Sequence, residues 1–149
     1  MLEGEGNFVE NVMQKNVIAV DSSTTIKDAA TMMTDAHVGC VAITDGKSPI
    51  GIVTERDIVQ RVVSKDLPSS TKVSEIMTAP LITAKPDYTL WELAKLMKTN
   101  SIHKMPVEKD GNLVGMITAT DLVKLNCLAS GTEISKITEQ ILARNSNNS

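Results

Sequence analysis

Two short segments of the chain carry residue types that suit nucleotide binding. They read GIVTERDIV (51–59) and GMITATDLV (115–123), and each places an aspartate, Asp57 or Asp121, three residues after a threonine. The apolar run before the threonine predicts a buried strand, and the residues after the aspartate predict a helix start. Unpaired N–H groups and the helix dipole at such a junction favour phosphate. A carboxylate there can accept hydrogen bonds from both hydroxyls of a ribose.

The same spacing also has a purely structural interpretation. Thr-x-x-Asp is a variant of the capping box, in which the threonine is the N-cap and the aspartate lies at N3. Asp57 and Asp121 would then stabilise helix ends and do nothing else. Both interpretations stay open for each copy, and the repetition of the whole segment favours the binding interpretation.

Composition excludes several classes of function. Net charge is −3 and aromatic residues make up 2% of the chain, which disfavours nucleic-acid surfaces and base-stacking platforms. No apolar run approaches the length of a membrane span, and the acidic N-terminus lacks a signal-peptide core. Cys40 and Cys127 predict free thiols in a reducing cytoplasm, and no metal-binding spacing is present. An enzyme is disfavoured because no histidine is placed to activate either motif threonine.

An internal repeat organises the chain. Asp57 and Asp121 lie 64 residues apart, and the same offset aligns residues 9–63 with residues 73–127 without a gap. We predict one unit over 8–63, a linker over 64–72 and a second unit over 73–127. Residues 128–149 are predicted to hold an amphipathic helix (132–143) and a disordered tail (145–149).

Each unit is predicted to have the order β-α-β-β-α after a short opening segment (8–14 or 73–78). The first strands are predicted at 17–20 and 81–84, and the first helices start at Ile26 and Leu90 after capping-box threonines. The next strands are predicted at 38–44 and 102–108, and the last at 50–53 and 113–117. Asp-Gly turns at 45–46 and 110–111 predict hairpins between those strands.

This duplicated pattern resembles a tandem of cystathionine-β-synthase (CBS) domains, known as a Bateman module, over about 8–127. The resemblance implies an α/β (α+β) fold in which two β-α-β-β-α units pack sheet to sheet about a pseudo-two-fold axis. It also implies two clefts that bind adenine nucleotides or other adenosyl compounds, and a homodimer. No cofactor, metal, nucleic acid or membrane partner is expected.

The resemblance also implies roles for individual residues. Asp57 and Asp121 would hold the ribose hydroxyls, with Thr54, Thr118 and Thr120 near the phosphate. A basic pair, His103 and Lys104, would reach the phosphate in the second unit, whereas the first unit has Gly39 and Cys40 there and departs from the pattern. Arg56 is a further cation near a helix start. The expected adenine contacts are Val17 and Ile18 for the Asp121 cleft, and Leu81 and Ile82 for the Asp57 cleft. Ile52 and Met116 are further apolar side chains that could contact adenine.

The expected function is therefore a non-catalytic regulatory module. It would sense AMP, ADP, ATP or S-adenosylmethionine and pass occupancy to an unidentified effector protein or to its own dimer. The alternative is a structural interaction module whose clefts stay unoccupied.

Overall fold

The computed structural model describes residues 8–79, 81–126 and 141. The elements of the first half are α1 (Val9–Val12), β1 (Ala19–Asp21), α2 (Ile26–Ala36), β2 (Cys40–Asp45), β3 (Ser48–Thr54) and α3 (Glu55–Asp57), which continues as a π-helix (Ile58–Val63). Those of the second half are a 3-10 turn (Val73–Glu75), α4 (Leu90–Asn100), β4 (Lys104–Lys109), β5 (Asn112–Thr118) and α5 (Ala119–Asn126). Apart from Ile141, the predicted C-terminal helix and tail lie outside the described residues.

Helices α2 and α4 begin where the sequence predicts. Thr25 Oγ1 accepts the Asp28 N–H at 3.2 Å. In α4 the exchange is reciprocal, because Thr89 Oγ1 accepts the Glu92 N–H at 3.1 Å and Glu92 Oε2 accepts the Thr89 N–H at 3.0 Å. These bonds satisfy N–H groups that a helix start leaves without intrahelical partners, which fixes where each helix begins.

The strands form the hairpins that the turn residues predict. β2 pairs with β3 in antiparallel register, β1 joins β2 in parallel, and β4 pairs with β5. Asp110 and Gly111, which link β4 to β5, both have positive φ (53° and 81°). Positive φ at both positions is the geometry of the two-residue turn that matches the twist of paired strands.

The strand predicted at 81–84 is wrong, because only Ala84 forms a bridge, to Val107. The reason is a proline. In the first repeat the Ala42 N–H of β2 donates to the Ile18 carbonyl at 3.0 Å, so the residue before β1 also pairs with β2. Pro106 stands 64 residues after Ala42 and has no N–H to donate, so the matching bond to Ile82 cannot form.

The compact units of the structure exchange the opening segments of the two repeats. One unit, called here the Asp121 unit, contains 8–15, 83–109, 114–126 and 141; the other, called the Asp57 unit, contains 16–79, 81–82 and 110–113. In the Asp121 unit the Val9 N–H donates to the Tyr88 carbonyl at 2.9 Å. In the Asp57 unit the Val73 N–H donates to the Thr24 carbonyl at 2.8 Å. Each opening segment therefore packs with the body of the other repeat.

The glycine that opens each motif is required by this packing. A Cβ at Gly115 would lie 2.5 Å from Met13 Sδ and 3.0 Å from the Gln14 carbonyl oxygen. The three atoms nearest to a Cβ at Gly51 all belong to the Met77 side chain, with Cγ at 2.9 Å. Met13 and Met77 are equivalent residues of the two opening segments, so the motif glycines make room for those segments.

We expect Gly115→Ala to destabilise the protein by about 1–3 kcal/mol, since the added methyl group overpacks the core and pushes on backbone. Gly51→Ala is the matched control, and we expect a smaller cost because a flexible methionine can move aside. Urea denaturation of both variants measures the difference in free energy of unfolding. An equal or larger cost for Gly51→Ala would contradict this explanation of Gly115.

Candidate functional site

The second motif forms a complete capping box at the start of α5. The Thr118 N–H donates to Asp121 Oδ2 at 2.9 Å, and the Asp121 N–H donates to Thr118 Oγ1 at 3.2 Å. The Ala119 N–H donates to the His103 carbonyl at 2.7 Å. Several backbone N–H groups that were predicted to bind phosphate therefore donate to groups within the protein. The Thr118 hydroxyl accepts in the cap, which leaves its own hydrogen able to donate.

The second carboxylate oxygen of Asp121 faces a neutral partner. Gln14 Nε2 donates to Asp121 Oδ1 at 3.3 Å, a long and weak hydrogen bond. Asp121 is 9% exposed, whereas Gln14 is exposed. Gln14 is fixed by its backbone, because its N–H donates to the Met116 carbonyl at 2.8 Å and its carbonyl accepts the Met116 N–H at 2.9 Å. Oδ1 of Asp121 therefore keeps spare capacity to accept hydrogen bonds.

The first motif builds the same cap with a different partner. The Thr54 N–H donates to Asp57 Oδ2 at 2.9 Å, and the Asp57 N–H donates to Thr54 Oγ1 at 3.2 Å. Asp57 Oδ1 lies 3.7 Å from Arg61 Nε, and Arg61 Nη1 also donates to the Ile76 carbonyl at 2.8 Å. A guanidinium thus stands beside the Asp57 carboxylate where an amide stands beside Asp121.

The predicted phosphate contact His103 is already bonded within the Asp121 unit. Its Nε2 lies 2.9 Å from the carbonyl oxygen of Ile141, whose side chain is 2% exposed in the core of that unit. A carbonyl only accepts, so Nε2 carries the hydrogen. Only Nδ1 of His103 remains for a ligand in this arrangement. Lys104, the next residue, begins β4 and is half-buried.

The remaining predicted residues divide between the two units. Met116 in the Asp121 unit is buried at 5% exposure, and Thr120 is exposed on the first turn of α5. The Asp57 unit contains the predicted residues Ile52, Arg56, Leu81 and Ile82, together with Val17 and Ile18, which the sequence analysis assigned to the Asp121 cleft. Ile52 is buried, Arg56 and Ile82 are exposed, and Val17, Ile18 and Leu81 are half-buried.

Sequence reasoning missed both partners of the motif carboxylates. Arg61 follows Asp57 by four residues, a spacing that places acid and base on one helix face, so this pair was detectable. Gln14 lies 107 residues from Asp121, and nothing in the repeat pattern predicts that its segment packs with the second repeat.

A groove of about 730 Å³ lies next to the first motif, in the Asp57 unit. Its lining comes from α2, the residues before β2, and the helical part of the motif: Ala30, Met33, Thr34, His37, Val38, Gly39, Glu55, Ile58 and Val59. Neither Thr54 nor Asp57 lines it, so this groove does not contain the motif residues that were predicted to contact phosphate and ribose.

No group of three or more His, Cys, Asp or Glu side chains in 8–79, 81–126 and 141 could hold a metal ion. Within the same ranges, no helix has the length and apolar character needed to cross a membrane.

Comparison with known proteins gives consistent results. The chain is 28% identical over 134 residues to the CBS domain-containing protein YhcV of Bacillus subtilis. The aligned region covers 89% of this chain and 96% of that protein. The structure is similar to the CBS domain protein TA0289 of Thermoplasma acidophilum (TM-score 0.79, 25% identity, 93% of this chain and 76% of that one). It is also similar to the CBS domain pair of protein MJ0100 in complex with 5′-methylthioadenosine and S-adenosyl-L-methionine (TM-score 0.76, 26% identity, 83% of this chain and 98% of that one).

The repeat, the paired capping boxes and the hairpins all agree with these similarities. The CBS domain family matches the chain twice, over 9–64 and 73–126, which together make up more than half of it. The chain therefore belongs to the CBS domain family, and it carries two copies of the domain.

Proposed function

We propose that this chain is a non-catalytic regulatory module that binds an adenosine-containing ligand through Asp121 and, in the first repeat, through Asp57. AMP, ADP, ATP and S-adenosylmethionine share the adenosine half that these residues would bind. The observation that carries the proposal is the state of Asp121. One of its oxygens is used in the helix cap, while the other has, among the described residues, a single weak bond from an exposed amide.

A related structure supports this ligand class. The CBS domain pair of MJ0100 is in complex with 5′-methylthioadenosine and S-adenosyl-L-methionine, two compounds that contain a ribose diol. A carboxylate fixed by its cap is oriented before the ligand arrives, so less conformational entropy is lost on binding. Transmission to an effector protein or to a homodimer would require the ligand to bind one arrangement of the protein better than another.

We expect AMP to bind the Asp121 site more tightly than adenosine does, by about tenfold or more. The reason is a charge-assisted hydrogen bond from His103 or Lys104 to the phosphate. A protonated His103 donates from both nitrogens, so Nδ1 can reach the phosphate while Nε2 stays on Ile141. Titration calorimetry with AMP and adenosine measures the ratio of dissociation constants.

His103→Gln provides the matched control for this prediction. The glutamine amide can keep the bond to the Ile141 carbonyl but carries no charge, so adenosine should bind as before while the advantage of AMP falls. His103→Ala removes both the charge and the bond to Ile141. Equal affinities of the wild-type protein for AMP and adenosine would remove the basic pair from the proposal.

A structural interaction module is the second candidate, and one observation favours it. Both Thr-x-x-Asp motifs form complete capping boxes, so helix capping alone can account for them. A thermal-shift screen separates the two candidates, since a ligand at about 100 times its dissociation constant adds about 2.7 kcal/mol of stability. A flat response to adenine nucleotides, S-adenosylmethionine and guanine nucleotides would favour the interaction module.

We also propose a compartment and an assembly for this module. It would lie in the cytoplasm as a homodimer, built on units at 8–63 and 73–127 joined by the linker 64–72. The prediction from the sequence that Cys40 and Cys127 are reduced thiols suits a reducing compartment. Native mass spectrometry of the purified protein would report the number of chains and any nucleotide that copurifies.

A further inference from the structure

The side chain beside each motif carboxylate differs between the two repeats. Gln14 contacts Asp121, and the residue 64 positions later is Thr78. Thr78 keeps the backbone role, since its N–H donates to the Ile52 carbonyl at 2.9 Å. A threonine side chain is shorter than that of glutamine and has no amide. Beside Asp57 the partner is Arg61 instead, and the sequence has a leucine at the corresponding position, 125.

These partners have different chemistry toward a sugar. A ribose hydroxyl both donates and accepts a hydrogen bond. The Gln14 amide and the Asp121 carboxylate together offer a donor (Nε2), a neutral acceptor (Oε1) and a charged acceptor (Oδ1). The Arg61 guanidinium offers only donors, and its charge offsets that of Asp57. The Gln14–Asp121 pair therefore matches a hydroxyl in both of its hydrogen-bonding roles.

The position of Gln14 makes this contact available to a ligand. Its backbone is held by two hydrogen bonds to Met116, of 2.8 and 2.9 Å, while its side chain is exposed. The bond from Nε2 to Asp121 is long, at 3.3 Å, so little energy is lost when a hydroxyl shares or replaces it. The backbone is fixed, and the polar end of the side chain stays free to adjust.

We propose that Gln14 is a specificity-determining residue of the Asp121 site, where it reads a ribose hydroxyl together with Asp121. This inference rests on the proposed function, and it deepens that function by making the Asp121 site selective for ribonucleotides over 2′-deoxyribonucleotides. The Asp57 site lacks the equivalent amide and is expected to discriminate less between the two sugars.

The test compares AMP with 2′-deoxy-AMP by titration calorimetry. An Asp57→Asn background weakens the other site, and the asparagine can still accept the capping bond. In that background we expect AMP to bind at least about tenfold more tightly than 2′-deoxy-AMP. Without the 2′-hydroxyl, the polar groups of the site that would bind it lose their hydrogen-bond partner. Gln14→Thr, which copies the residue at position 78, should reduce that ratio about 3- to 10-fold.

The controls separate this inference from the proposed function. Lys15→Thr changes the neighbouring exposed residue and should leave the ratio unchanged. A purely structural role of Gln14 would lower the melting temperature or both affinities together, without changing their ratio. An unchanged ratio in Gln14→Thr, alongside tight AMP binding, overturns the role of Gln14 and leaves the proposed function standing. Failure of the wild-type protein to bind AMP overturns both.

Discussion

Asp121→Ala should weaken AMP binding at the Asp121 site by about 10- to 100-fold. The substitution removes a charged acceptor for the ribose hydroxyls, and a hydrogen bond to a charged group is worth about 1.5–3 kcal/mol. It should also cost about 1 kcal/mol of stability, because the Thr118 N–H loses its partner in the cap. Titration calorimetry and urea denaturation of the same sample measure the two effects separately.

Glu92→Ala is the control that separates capping from binding. Glu92 holds the same capping position in α4, accepts the Thr89 N–H at 3.0 Å and is exposed. Its loss should cost similar stability and leave AMP binding unchanged. If Asp121→Ala binds AMP as the wild type does, Asp121 has no role at the sugar, and its only role is to cap α5.

Local hydrogen bonding explains why much of the fold is predictable from sequence. Thr25 and Thr89 each precede a helix that begins at the next residue. These helix starts are predictable because a cap is formed by residues only three positions apart. The Asp110–Gly111 turn is predictable for the same reason, since the required positive φ values restrict which residues can stand there. Both copies of the Thr-x-x-Asp motif were predicted at strand–helix junctions, and that placement is confirmed.

The failures come from partners that are distant in sequence. Hydrophobic spacing shows that Val9 and Val73 are buried, but it does not show which repeat buries them. Gln14 was missed because its contact with Asp121 depends on that exchange of opening segments. The strand predicted at 81–84 was wrong because one N–H, absent at Pro106, decides whether the pairing seen in the first repeat can form. The ligand roles of the site residues stay predictions that the binding experiments test.

Val9→Asp should unfold the Asp121 unit in preference to the Asp57 unit. Val9 is fully buried in the core of the Asp121 unit, with Leu93, Met97 and Ile117 among its members. An unpaired carboxylate in an apolar core costs about 3–5 kcal/mol, a large share of the stability of a small domain. Hydrogen exchange should therefore become faster in β4 and β5, while β2 and β3 keep their protection.

Val73→Asp is the reciprocal control, since Val73 is the equivalent residue of the second opening segment and is fully buried in the core of the Asp57 unit. It should accelerate exchange in β2 and β3 and spare β4 and β5. The opposite assignment, with Val9→Asp exposing β2 and β3, would mean that each opening segment packs with its own repeat in solution. Gln14 would then lie away from Asp121, so the exchange of segments is the structural condition on which its contact with that carboxylate depends.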